Sequence, residues 1–176
     1  MKRYVPALAA GLAIAAAACG NGQSQDANRA AATVKDRDGN TIAEVLLTET
    51  PNGLHLNAEF SGAPAGAHGF HIHETGRCSG DFASAGGHFN PDGRSHGFMV
   101  AAGPHLGDMP NVHIPESGAL KVEVFVPEAT LVAGGVTTLI DSDGAAIVLH
   151  EGTDDYRSQP SGAAGPRLGC GVIERR

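Results

Sequence analysis

The sequence predicts an all-β domain, and three observations carry that prediction. Gly 25 and Pro 10 in 176 residues are high counts, and the two residues are spread along the chain with β-branched runs between them, the distribution of a turn-rich sheet protein. Several short segments alternate apolar and polar residues with the period of two that a half-buried strand requires. No segment sustains a helical period for more than a turn or two. The length suits one domain with a sizeable core, plus an appendage.

The appendage comes first. Lys2 and Arg3 make a short basic start, followed by an apolar run from Val5 to Ala18 that only Pro6 and Gly11 interrupt. The run is too short to span a bilayer well, and its small-residue end matches a cleavable secretory signal. The stretch AAAACG sets Cys19 directly after those small residues. This resembles a bacterial lipoprotein signal, in which residues 1–18 are removed and Cys19 becomes the lipidated first residue. Ala16 stands where Leu is commoner in such signals, and ordinary cleavage near Ala18 is the alternative. Residues 19–32 are small and polar without apolar periodicity and read as a flexible tether, leaving the folded domain to residues 33–176.

Strands follow from about Ala32. AATVKD leads into a hairpin signal at Asp38-Gly39, then TIAEVLLTET, a turn at Pro51-Asn52-Gly53, and LHLNAEF. In the last, Leu54, Leu56 and Ala58 alternate with His55, Asn57 and Glu59, so one face is buried and His55 faces solvent. GFHIHE sets His71 and His73 on one face of a strand, with Ile72 on the other. Later strands are expected at GALKVEVFVP, GVTTLI and AAIVLH, with a turn at Asp143-Gly144, and a final one near GCGVIE. Between Thr75 and Pro115 the periodicity disappears in a Gly-, Pro- and His-rich stretch. A loop of that length inside a compact domain is functional or internally tied down.

Nine histidines are many for this chain, and seven of them fall between His68 and His113. In the long loop His88, His96, His105 and Asp108 are candidate ligands at spacings that suit a loop wrapped around an ion. Three imidazoles and a carboxylate fit a closed, structural tetrahedral Zn²⁺ site, whose binding energy would order the loop. His71 and His73 can converge on a second ion, and His150, ending the apolar strand AAIVLH, sits where a rigid scaffold could hold a ligand. Imidazoles without thiolate suit copper or zinc. Spacing alone therefore gives two neighbouring metal sites, one of them redox-active. His68 shares a face with Phe70 and Ile72 and reads as a hydrogen-bonded structural residue; His113, in NVHIP, has no identifiable partner and is taken as structural.

The formal charge of −7 argues against a nucleic-acid partner. With Cys19 assigned to the signal, Cys78 and Cys170 remain in an exported chain and are most simply a disulfide, the alternative being two buried free thiols. Closing so long a loop stabilises by roughly 4–5 kcal/mol in the chain-entropy model.

GFHIHE, SAGGHFNP, GDMPNV, VLHEGTDD and GPRLGCGVI, in this order, resemble the copper/zinc superoxide dismutases in their bacterial periplasmic form. The resemblance runs from about Thr33 to Glu174. It implies a Greek-key β-sandwich, or flattened eight-stranded antiparallel barrel, with long metal-binding and active-site loops. It implies one copper and one zinc per subunit: copper on His71, His73, His88 and His150, and zinc on His88, His96, His105 and Asp108, with His88 bridging the two. Asp154 matches the aspartate that hydrogen-bonds one ligand of each metal, Arg167 matches the active-site guanidinium, and Cys78 pairs with Cys170. Superoxide is the implied substrate, with Arg167 and His88 catalytic. The implied location is the periplasm or cell envelope, with the lipid anchor coming from the signal segment; the resemblance leaves the oligomeric state, monomer or homodimer, open. A non-catalytic copper carrier on the same fold would be expected to lack a ligand or the arginine. One departure stands out: the loop Glu151–Gly165 carries a single cation, Arg157, so the charge funnel of the animal enzymes is expected to be built differently here.

Overall fold

A computed structural model describes residues 1–2 and 28–176 of the chain. Residues 3–18 of the signal segment, the lipidation position Cys19 and most of the tether lie outside the described residues. Ten strands are described: β1 (Arg29–Asp36), β2 (Thr41–Thr50), β3 (Gly53–Ser61), β4 (Gly66–His68), β5 (Phe70–His73), β6 (Val112–Ile114), β7 (Ala119–Pro127), β8 (Ala146–His150), β9 (Arg167–Val172) and β10 (Glu174–Arg175). The only helical element among the described residues of the long loop is one 3₁₀ turn, Ala83–Ala85. No described helix is long and apolar enough to cross a membrane.

Eight strands share one antiparallel sheet in the order β5-β8-β9-β1-β2-β3-β7, with β10 pairing β1, and β4 pairs β6 separately. Spatial and chain order differ: β7 returns beside β3 and β9 beside β1, the crossing-back of a Greek key. Only Gly69 separates β4 from β5, and β6 packs beside the far edge strand β7, so the sheet curls into a half-barrel. Alternation fills it. Ala30, Ala32 and Val34 of β1, Ala43, Val45 and Leu47 of β2, Leu54, Leu56, Ala58 and Phe60 of β3, Phe70 and Ile72 of β5, and Ile147 and Leu149 of β8 form one buried cluster. Ile72 is therefore core, as its place opposite the two histidines predicts. A smaller cluster of Phe82, Ala85, Ala146, Val148 and Cys170 lies under the loop that Cys78 and Cys170 pin. Their disulfide sets the Cα atoms 5.7 Å apart across 92 residues.

Three expectations are corrected. Strand β1 begins at Arg29, so residues 29–32 belong to the sheet and not to the tether; β2 and β10 supply partners for their backbone groups. GVTTLI forms no strand. Leu131 and Leu139, both 0% exposed, sink into the core and hold the segment between them as a loop, with only a Thr130–Thr138 bridge of sheet character. The region Thr75–Pro115 is not wholly irregular, because Val112–Ile114 is β6. That strand is too short to show a period.

Candidate metal centre

The site is assembled by three backbone hydrogen bonds between segments distant in sequence. The N–H of Ile72 donates to the Gly107 carbonyl at 2.9 Å, that of Gly107 to Phe89 at 2.8 Å, and that of Phe89 back to Ile72 at 2.8 Å. Each of these residues adjoins candidate ligands: Ile72 lies between His71 and His73, Phe89 follows His88, and Gly107 precedes Asp108. The triangle needs glycine at 107, where a Cβ would drive into the Ile72 carbonyl and lie 2.9 Å from the Phe89 nitrogen.

Two clusters result, each with its ligand atoms within 4.8 Å of one another: His71, His73, His88 and His150, and His88, His96, His105 and Asp108. His88 belongs to both, and all seven residues are buried. In the first cluster each imidazole fixes one nitrogen and turns the other inward. His71 Nε2 meets Asp154 Oδ2 at 2.9 Å, His73 Nδ1 the Gly86 carbonyl at 3.0 Å, and His150 Nδ1 the Gly165 carbonyl at 3.2 Å. Inside, His73 Nε2 and His150 Nε2 face each other at 3.3 Å, while His71 Nδ1 and His88 Nε2 are buried with no hydrogen-bond partner. Buried polar atoms are rarely left alone, so these inward nitrogens fit a cation.

In the second cluster three imidazole nitrogens crowd one carboxylate oxygen. Nδ1 of His88, His96 and His105 lie 2.7, 3.0 and 3.3 Å from Asp108 Oδ1, and the last has no aligned hydrogen bond. The N–H groups of Gly97 and His105 donate to the other oxygen, Oδ2, at 2.9 Å each. Burial opposes ionisation of Asp108, but these contacts outweigh it and hold the carboxyl well below the usual range. Asp154 links the clusters: its Oδ1 lies 2.9 Å from His96 Nε2, and it too is held low against the effect of burial by His71 and His96. Burial pushes His88 down to about 4, with the Asp108 hydrogen bond opposing it, and His150 down to about 3; it also lowers His73. For His96 burial is outweighed by Asp108 and Asp154, which raise it to about 9. The lowered values of His73, His88 and His150 and the ionised carboxylates of Asp108 and Asp154 suit metal binding, while His96 must give up its proton to a metal.

Arg167 starts β9 beside this centre. Its guanidinium is half-buried and donates to the carbonyls of Phe82 and Gly86, so the disulfide-pinned loop holds it in place. Burial lowers its pKa, and Asp81 opposes that shift.

The matching family description is copper/zinc superoxide dismutase, over residues 41–173. The chain belongs to the copper/zinc superoxide dismutase family. A Cu-Zn superoxide dismutase 1 of Aquifex aeolicus (strain VF5) is 43% identical over 145 residues, covering 81% of this chain and 86% of that one. The crystal structure of a superoxide dismutase-like protein from Bacillus subtilis superposes with a TM-score of 0.77 at 35% identity, covering 81% of this chain and 96% of that one. The Cu/Zn superoxide dismutase of Brucella abortus gives 0.66 at 27%, covering 83% and 99%. Membership in this family makes the two ions copper and zinc, as the donor sets on the two sides allow.

The remaining histidines stay outside both clusters. His68 Nδ1 faces the carbonyls of His150 and Glu151 at 2.9 and 3.1 Å, and its Nε2 that of Pro64 at 3.2 Å, which makes it a structural tie. His113 is exposed, and half-exposed His55 lies 3.7 Å from Glu123. Sequence reasoning missed residues that orient the site. Asn111 brackets Asp154, accepting from its N–H at 2.9 Å and donating to its carbonyl at 2.8 Å. Gln159 does the same for the backbone of His96, at 2.8 and 2.9 Å. Both amides sit in loops without periodicity, where nothing local marks them. Gly162, at φ +69, lies so close that a Cβ would reach Asp154 and come within 2.7 Å of His96 Nε2.

Proposed function

We propose that the protein dismutates superoxide in the cell envelope, converting two superoxide anions and two protons into dioxygen and hydrogen peroxide. The observation that carries this reading is the pair of clusters meeting at His88 beside Arg167. His71, His73, His88 and His150 would hold copper, and His88, His96, His105 and Asp108 zinc, with the His88 ring bridging them. Copper there would supply the one-electron oxidation and reduction, and zinc would hold the rings of the second cluster in place. Arg167 presents forked, permanently charged donors and docks the small anion. In an acidic protein that local cation opposes a repelling global field. His88 holds a proton at Nε2 in one half of the cycle and delivers it to the second superoxide. Asp154 keeps His71 and His96 oriented throughout.

The disulfide fits an oxidising compartment. Cleavage of residues 1–18 and acylation of Cys19 would tether the domain to a membrane, where it intercepts superoxide outside the cytoplasm. The test is superoxide decay with protein loaded with copper and zinc. Rates near the diffusion limit are expected; decay no faster than with the same buffer and metal would replace the enzyme with a metal carrier. A mature N-terminus at acylated Cys19, read by mass, supports the tether, and an unmodified N-terminus elsewhere removes it.

A further inference from the structure

The loop after β7 carries an uncharged tip. Residues 132–136, VAGGV, are all exposed, with Val132 59% and Val136 79% accessible. The base of the tip is anchored. Leu131 and Leu139 are buried at its base, and Glu49 accepts from the Thr130 hydroxyl at 2.9 Å and the Leu131 N–H at 2.5 Å. Arg175 donates to the Leu131 carbonyl and so fixes the loop beside β1 and β10. Here Arg29 pairs with Thr48 of β2, and the N–H of Arg176 donates to the Arg29 carbonyl at 3.1 Å. An apolar tip and the exposed cations Arg29 and Arg176 thus share one pole; Glu174 and, at the start of the loop, Glu128 are the exposed acids beside them, and Glu49 is committed to the loop. Strand β1 begins at this pole, at Arg29.

We propose that this pole docks on an anionic lipid surface, with Val132 and Val136 sinking among the headgroups and Arg29 and Arg176 facing lipid phosphates. The chemistry is that of an interfacial contact, in which apolar side chains and cations act together. On a protein of net charge −7 a local basic and apolar pole also selects an orientation, since the rest of the surface is repelled. Strand β1 carries the consequence. It runs from Arg29 at this pole to Asp36, which pairs with Gly169 two residues beyond Arg167, a span of roughly 20–25 Å. Docking therefore turns Arg167 away from the negative lipid surface that would repel superoxide. The proposal rests on the envelope location, but not on acylation.

The probe is the chain made without residues 1–18 and carrying Cys19→Ser, sedimented with phosphatidylcholine vesicles that contain or lack phosphatidylglycerol. Binding to the anionic vesicles alone, weakening with salt, is expected. Val132→Asp with Val136→Asp should lower it roughly tenfold, and so should Arg29→Glu with Arg176→Glu. Hydrogen exchange on the vesicles should slow at residues 132–136 and stay unchanged at 151–165. Equal sedimentation with both vesicle types, parental binding by either double variant, or slowing at 151–165 instead would overturn the proposal. Because the probe is unacylated, finding an unmodified natural N-terminus would remove the anchor and leave this result standing.

Discussion

His73 and Arg167 share one acceptor: the Gly86 carbonyl receives the imidazole Nδ1 at 3.0 Å and an Nη of the guanidinium. A single peptide unit thus sets the distance between an imidazole of the four-histidine cluster and the cation beside it. Gly86 itself lies on the loop that the Cys78–Cys170 disulfide and the Phe82–Ala85 cluster pin to the sheet.

Replacing Arg167 by Ala should lower kcat/KM for superoxide about tenfold or more and flatten its ionic-strength dependence, because the docking charge is lost. Arg167→Lys should recover part of the rate, since it keeps the charge and loses the fork. An unchanged salt slope in Arg167→Ala would take the residue out of substrate capture.

Asp154→Asn should weaken binding of both ions, by roughly 10–100-fold each, because one carboxylate orients His71 on one side and His96 on the other. Competition with a chelator for each metal measures this. A loss confined to one metal would show that the two oxygens act separately.

Gly107→Ala tests the backbone triangle. Its Cβ would meet the Ile72 carbonyl, so the zinc-side loop must move. A destabilisation of about 1–3 kcal/mol is expected from such overpacking, with zinc released at lower chelator concentration. A variant that melts and holds zinc like the parent would mean the loop positions Asp108 without this contact.

The metal-free protein should be most stable near neutral pH. His73, His88 and His150 have folded values below the ordinary 6.5, so their contribution is complete above that value and is lost as the pH falls toward about 4 for His88 and 3 for His150. Asp108 and Asp154, both held low, add to the acid loss below about 4. His96 has the opposite sign: its contribution is complete below 6.5 and is lost as the pH rises through about 9. Denaturant midpoints across this range should trace a maximum, and bound metal should protect the acid side because it competes with protons for the same nitrogens. A flat profile for the metal-free form would contradict these assignments.

The sequence by itself determined the strands whose faces differ in polarity. Alternation placed β3 and β7, a continuous apolar run marked β8, and the pattern His-Ile-His sent Ile72 inward and two imidazoles to the other face, because a strand's side chains must alternate. Residue type also limited the chemistry: seven buried donors without a thiolate select metals that accept imidazole and carboxylate. Periodicity could not show that GVTTLI is a loop, since the two leucines that hold it, Leu131 and Leu139, bury themselves at its ends instead of alternating along a face. Nor could it show which oxygen of Asp108 the three imidazoles converge on, that Asn111 and Gln159 hold the backbones of Asp154 and His96, or that Gly86 serves both His73 and Arg167. The last of these relations, those of Asn111, Gln159 and Gly86, join residues up to 81 positions apart through backbone groups. Every residue type carries those groups, so only folding decides which of them meet.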